Sequence, residues 1–189
     1  PNKELYYFLG LLMTDGHLSK YSVSFEMMKT DILEIKPILE NIFKINLPLY
    51  IYNRKERAKP GFINGRKIIA KSKMGNITLN SRKMSDIINK DYGIQIGNKT
   101  YIIRIPPLFW KLSYENKSYF LKGILDGDGS ITTSGFHIDS GSFDFLDGVK
   151  IILETLGIKS RLTNINGNYR FRTLVSKELR DILKYFVIN

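Results

Sequence analysis

The chain has no cysteine, two histidines and one tryptophan among 189 residues. Without cysteine it forms no disulfide and offers no thiolate metal site, which fits an intracellular protein. Its two histidines stand far apart and do not supply the ligand spacing of a zinc site. No apolar run reaches the ~20 residues of a transmembrane helix, and no signal-peptide pattern opens the chain. The expectation is therefore an intracellular protein, in an organelle or a microbial cytoplasm, neither secreted nor in a membrane. Acidic residues are also scarce: 18 Asp and Glu stand against 29 Lys and Arg, for a net charge of +11. A basic protein without a membrane segment most often meets a polyanion, usually nucleic acid. The excess is concentrated, since residues 54–83 hold ten basic residues and the single acid Glu56.

What the chain does have is a repeat. Tyr6-Tyr-Phe-Leu-Gly-Leu-Leu-Met-Thr-Asp-Gly-His-Leu18 returns as Tyr119-Phe-Leu-Lys-Gly-Ile-Leu-Asp-Gly-Asp-Gly-Ser-Ile131, 113 residues later. Each copy is an apolar helical pattern running into an acid and then Gly, a helix C-terminus. Gly10 and Thr14, like Gly123 and Gly127, are small residues four apart on one helix face. Small residues there let two helix backbones approach closely. If the copies pack on each other, Asp15 and Asp128 end side by side, and two facing carboxylates imply a divalent cation between them. The opposite reading, two helix-terminal acids before Gly, runs against the negative end of each helix dipole.

The repeat extends downstream. At the same offset Asp31 matches Asp144, Leu33 matches Leu146 and Ile38-Leu39 matches Ile151-Ile152, both within amphipathic helical patterns. At an offset of 95, Thr78-Leu79, Ser81 and Asp86-Ile-Ile88 match Thr173-Leu174, Ser176 and Asp181-Ile-Leu183. The first half thus holds eighteen extra residues, within roughly 50–75. Between the helical blocks, Ser22–Met27, Leu49–Tyr52, Gly75–Leu79, Arg161–Ile165 and Tyr169–Leu174 read as strands, the last two flanking the hairpin turn Asn166-Gly167-Asn168. Tyr169 and Phe171 alternate with Arg170 and Arg172, giving one aromatic and one cationic face. Each half reads helix, two strands, helix, two strands, helix: an α+β fold of two pseudo-symmetric αββαββα halves. Residues 1–97 form the first half, 98–114 a linker and 115–189 the second half of one compact monomer. In the linker, Pro106-Pro107 forces extension before Leu108-Phe109-Trp110 caps the core.

Phe8-Leu-Gly-Leu-Leu-Met-Thr-Asp-Gly16 and Leu121-Lys-Gly-Ile-Leu-Asp-Gly-Asp-Gly129 resemble the paired nine-residue signatures of single-chain LAGLIDADG homing endonucleases, and the resemblance covers essentially the full length. It implies motif helices at a central interface and strands forming a saddle on double-stranded DNA. It implies Mg²⁺-dependent cleavage of both strands across the minor groove, with Mn²⁺ substituting and Ca²⁺ binding without supporting cleavage. Asp15 and Asp128 would bind the metals with the carbonyls of Thr14 and Gly127. Lys29, after the second strand, is similar to a family Lys that polarises the active-site water network; its counterpart here is Ser142. Because the halves differ, the target should be long and asymmetric.

The remaining candidates are DNA contacts. Arg54, Lys55, Arg57, Lys59, Arg66, Lys67, Lys71, Lys73, Arg82 and Lys83 form, as a set, a phosphate-contacting surface. Arg161, Arg170, Arg172, Thr132, Asn164 and Asn168 are candidates for the second half. Glu26 and Asp139 are matched acids that accept from cytosine or pair a neighbouring Lys. His17 has no matching His, and reads as a backbone contact or nothing. Asp126 has Met13 as its counterpart and reads as a solvated or capping acid. Two other classes stay open: an intron maturase or RNA binder of this fold, and a DNA-binding regulator that does not cut. An intein origin is compatible with the repeat, but no splicing Cys is present and the chain ends Val187-Ile188-Asn189. Pro1 in place of Met fits a trimmed chain. The Lys, Ile and Asn content fits an A·T-rich coding genome.

Overall fold

The computed structural model describes residues 3–53, 61–63, 66–68, 73–132, 135–165 and 168–173. The first motif folds as α1 (Lys3–Thr14), which buries every residue from Tyr6 to Met13. A helix apolar on all sides can only be a core helix. Strands β1 (Gly16–Leu18) and β2 (Ser22–Met28) follow as an antiparallel pair. Their turn is held by the Ser19 hydroxyl, which accepts from the amides of Tyr21 and Ser22 at 3.1 and 2.9 Å. Helix α2 (Lys29–Phe43) then leads to β3 (Leu49–Asn53), β4 (Gly61–Ile63), β5 (Arg66–Ile68), β6 (Lys73–Asn80) and α3 (Arg82–Tyr92). Ser81 caps α3, its hydroxyl accepting from the Met84 amide at 3.2 Å. Gly93 closes the helix in the left-handed region at φ 70°.

The second half repeats this order. A 3₁₀ turn (Pro107–Lys111) precedes α4 (Tyr114–Asp128), then β7 (Gly129–Thr132), β8 (Gly135–Ser140), α5 (Phe143–Thr155), β9 (Ser160–Ile165) and β10 (Asn168–Thr173). The strand orders are β1-β2-β6-β3 and β7-β8-β10-β9, position-for-position equivalents. That identity of topology is the pseudo-symmetry the repeat implied. The extra residues of the first half include a separate two-stranded sheet, β4 with β5, between β3 and β6. In the second half the corresponding strands β9 and β10 are separated by only residues 166 and 167. The third helix expected of the second half lies in 174–189, outside the described residues.

One hydrophobic core runs through both halves. Its centre is the α1–α4 contact, where the glycines decide the spacing. A Cβ at Gly10 would collide with the backbone carbonyl of Phe120, and one at Gly123 with that of Tyr7. Only hydrogen there lets backbone meet backbone. Phe109, fully buried, stacks on Phe120 at 4.3 Å between ring centroids and meets Tyr6 edge-on at 6.3 Å. The segment between the halves therefore closes over the far side of the motif helices. It is pinned again where the buried Ser142 hydroxyl donates to Ile103 O at 2.5 Å while accepting from the Phe145 amide.

Candidate active site: two acids and a lysine at the helix ends

Asp128 is the last residue of α4, and Asp15 stands immediately after α1. Because the helices pack backbone to backbone, both helices end at one place. The tightness persists to the tips: the Thr14 hydroxyl lies so near Gly127 that a Cβ there would overlap it. That hydroxyl donates back to Leu11 O at 3.0 Å. Thr14 and Gly127, the two residues the resemblance implies as carbonyl ligands, thus touch across the seam.

The electrostatics report the same convergence. The Asp128 carboxyl is pushed up to about 6, by withdrawal from solvent first, then by the Asp15 charge, with Lys99 opposing and Asp139 adding repulsion. Asp15 is also raised, mainly by burial, with Lys99 lowering it and Asp31 raising it. Much of the Asp128 residue surface still faces solvent. The upward direction follows from crowding by two helix ends and a facing acid, and the carboxyl remains open to a ligand arriving from outside.

Lys99 is the residue the sequence did not disclose. It lies in a turn between the halves, where Lys99 O accepts from the amides of Ile102 and Ile103 at 3.1 and 2.9 Å. The preceding Gly97 amide donates to Leu18 O at 2.9 Å. This turn sends the Lys99 side chain inward, so that Nζ donates to Leu12 O near the end of α1. Burial brings its ammonium down to about 8, against the attraction of Asp128 and Asp15. A cation at a helix C-terminus meets the negative end of the dipole, which favours it there. No repeat, run or periodicity marks a single Lys in a connecting segment. The only sequence signal was chemical, in that two facing acids need a counter-charge.

The other candidates are spread around this centre. Lys29 opens α2; the lysine charge acting on both carboxyls is that of Lys99. Asp126 is engaged elsewhere, accepting from the Tyr7 hydroxyl at 3.0 Å and from Lys122 Nζ at 2.6 Å. Among the described residues no group of three or more His, Cys, Asp or Glu is arranged to hold a metal. The donor set is thus two hard carboxylate oxygens and neighbouring carbonyls. Mg²⁺ fits it, since this ion is commonly bound by one or two carboxylates and completed by water and substrate phosphate.

Of the basic candidates, Arg54, Lys55, Arg57, Lys59 and Lys71 lie outside the described residues. Arg66 and Lys67 belong to β5, Lys73 begins β6, and Arg82 and Lys83 open α3. In the second sheet Arg170 pairs with Asp139 and Arg172 with His137 and Arg161, whereas Phe171 pairs with the buried Ile138. Thr132 pairs with Gly135, and Asn168 with Ile165. Asn164 pairs with Tyr169. His17 is exposed on β1, opposite Ser24. No helix among the described residues is long and apolar enough to cross a membrane.

Residues 115–186 match the family model of the LAGLIDADG-like domain. Solved structures of the homing endonuclease I-DmoI superpose over nearly the whole chain. A mesophilic variant gives a TM-score of 0.62 at 14% identity, covering 97% of this chain and 92% of that one. I-DmoI in complex with DNA and Mn gives 0.59 at 17% identity, covering 97% and 93%. Full-length DUF199/WhiA from Thermatoga maritima is as similar, with a TM-score of 0.62 at 13% identity, over 99% of this chain and 56% of that one. At these identities the likeness shows the fold. Curated relatives include the tRNA-splicing ligase RtcB of Pyrococcus furiosus, 25% identical over 93% of this chain. A probable translation initiation factor IF-2 (25% over 89%) and a replication factor C small subunit (27% over 94%), both of Methanocaldococcus jannaschii, also match. The chain spans 20%, 13% and 10% of their respective lengths. The motif is thus present twice, each copy on one side of a seam between matching halves, and it is the second half that matches the LAGLIDADG-like domain.

Proposed function

We propose that the protein is a site-specific endonuclease that cuts both strands of a long, asymmetric DNA duplex by metal-dependent phosphodiester hydrolysis. The observation that carries this reading is the meeting of Asp15, Asp128 and Lys99 where the two motif helices end. A protein that only binds DNA has no need to hold two repelling carboxylates together. Asp15 and Asp128 would hold the divalent ions, with the carbonyls of Thr14 and Gly127 beside them. Such ions, when bound, supply a water of lowered pKa and stabilise the leaving oxygen. Lys99 offsets part of the acids' repulsion and brings positive charge to where phosphate would lie. Lys29 is retained as a second group acting on the surrounding water. The sheets would carry the duplex, with the basic stretch 54–83 giving salt-dependent affinity. One chain supplies both halves, so the protein acts as a monomer, with Mg²⁺ or Mn²⁺.

The three curated relatives bear names of unrelated proteins, and this chain matches only a small part of each. An endonuclease carried as an insertion within different host genes accounts for that pattern. The equal likeness to DUF199/WhiA and I-DmoI favours keeping one second reading, a member of this fold that binds nucleic acid without cutting.

The test is cleavage of a duplex library by wild type, Asp15→Asn and Asp128→Asn with Mg²⁺, with binding measured in parallel in Ca²⁺. Loss of double-strand cutting in each variant, with binding retained, supports the paired-acid reading. Tight binding by wild type without any cutting sinks it in favour of the second.

A further inference from the structure

The two sheets are equivalent in topology but not in the chemistry of their outward faces. In the first sheet Val23, Phe25, Ile77 and Leu79 are buried, so the alternate positions face out. There Ser24 pairs with Thr78, Ser22 with Asn80, and Glu26 with Asn76, which pairs in turn with Tyr50 of β3. No described strand position on this face is Lys or Arg, in a chain of net charge +11. In the second sheet Phe136 and Ile138 are buried, and Arg161 is exposed on the alternate strand position. The first face thus carries asparagines, serines and Thr78 beside the acid Glu26, whereas the second presents a guanidinium at Arg161.

We infer that the halves read different bases: the first sheet selects adenine through Asn76 and Asn80, and the second selects guanine through Arg161. The inference rests on the DNA-binding reading above. Adenine shows the major groove one donor, N6, and one acceptor, N7, which a carboxamide complements with its own acceptor and donor. Guanine shows two acceptors, O6 and N7, which a guanidinium complements with two donors. Asn76 is already set for its task. Thr78 Oγ1 donates to Asn76 Oδ1 at 2.9 Å, which fixes the amide orientation and leaves Nδ2 and a second lone pair on Oδ1 to meet a base. Asn76 and Asn80 lie four residues apart on β6, about 14 Å along a strand. At about 3.4 Å per base pair that is about four steps. The target would therefore be asymmetric in base chemistry as well as in length.

The experiment is selection of bound duplexes from a randomised library in Ca²⁺, which needs no cleavage. Wild type should recover sites with two adenine preferences about four base pairs apart in one half and a guanine preference in the other. Asn76→Ala should weaken one adenine preference by about tenfold, with the opposite half and the salt dependence unchanged. Asn76→Arg should move the preference at that position from adenine to guanine. Arg161→Ala should relax a guanine in the opposite half by about tenfold, with the adenine preferences unchanged. Half-sites with the same base preferences, or an Asn76→Arg protein that binds DNA with wild-type preferences, would overturn the inference. Recovery of no preferred duplex at all overturns instead the site-specific reading on which it rests.

Discussion

Tyr7, buried in the first motif helix, donates its hydroxyl to Asp126 Oδ2 of the second motif helix at 3.0 Å. Lys122 holds the same carboxylate at 2.6 Å and lies 5.9 Å from the centre of the Tyr7 ring. By the 113-residue repeat, the counterparts of Tyr7, Lys122 and Asp126 are Phe120, Leu9 and Met13, all apolar. One side of the seam is therefore tied by a polar cluster and the other by packing alone. Tyr7→Phe keeps the ring and removes the donor. The protein should lose about 1 kcal/mol, since Lys122 still satisfies the carboxylate. Urea unfolding with an unchanged slope checks it, and a loss under about 0.3 kcal/mol, within the noise of such measurements, would show the bond to be idle.

Gly123→Ala should be far more damaging than its one added methyl suggests. The new Cβ would overlap Tyr7 O and lie 2.7 Å from Leu11 N, both backbone atoms that cannot turn aside. The helices must separate, with a cost of about 3 kcal/mol or more, the upper range for overpacking. Calorimetry should show a large fall in Tm. At Gly157, with nothing within 4 Å and a φ of 77°, Ala meets backbone strain and no clash, so the cost there should be smaller, about 1 kcal/mol. A reversed order would refute the close-approach account.

Lys99→Met keeps the length of the side chain and removes its charge. Without that charge Asp15 and Asp128 repel more strongly, and both carboxyls should rise further. Cleavage should fall by at least about a hundredfold if Lys99 assists the reaction, while duplex binding in Ca²⁺ changes by less than about tenfold. Near-normal cleavage in single-turnover assays would remove Lys99 from the site.

The pH dependence follows from the same groups. Asp128 titrates near 6 in the folded protein, above its ordinary 3.8, so the metal-free fold takes up a proton as pH falls through 6. Its contribution to stability is full below about 4 and is lost as pH rises from 4 through 6. Lys99, lowered to about 8, has the opposite effect at the alkaline end, where its contribution to stability grows as pH rises from 8 toward 10.5. A divalent ion binds the ionised carboxyl and competes with the proton. The rise in Tm on adding Mg²⁺ should therefore grow between pH 5 and 7 and be largely lost in Asp128→Asn. An Mg²⁺ effect independent of pH across that window would place the ion elsewhere.

The sequence by itself determined the two motif helices, their close approach through Gly10 and Gly123, the matching order of elements and the convergence of Asp15 and Asp128. These were legible because each is carried by a repeated local pattern: apolar residues at helical period, small residues four apart, alternation along a strand. It also placed the extra length of the first half, though not its form as the β4–β5 hairpin. Only the tertiary structure decided that Lys99 supplies the counter-charge, that Asp126 belongs to Tyr7 and Lys122, and that the first sheet turns Asn76 and Asn80 outward. Each of those depends on contacts between residues distant in the chain. Lys99 and Leu12 are 87 residues apart, and Tyr7 and Asp126 are 119 apart. No local period encodes such a pairing, because a lone side chain finds its partner only after the helices and strands that carry it have packed.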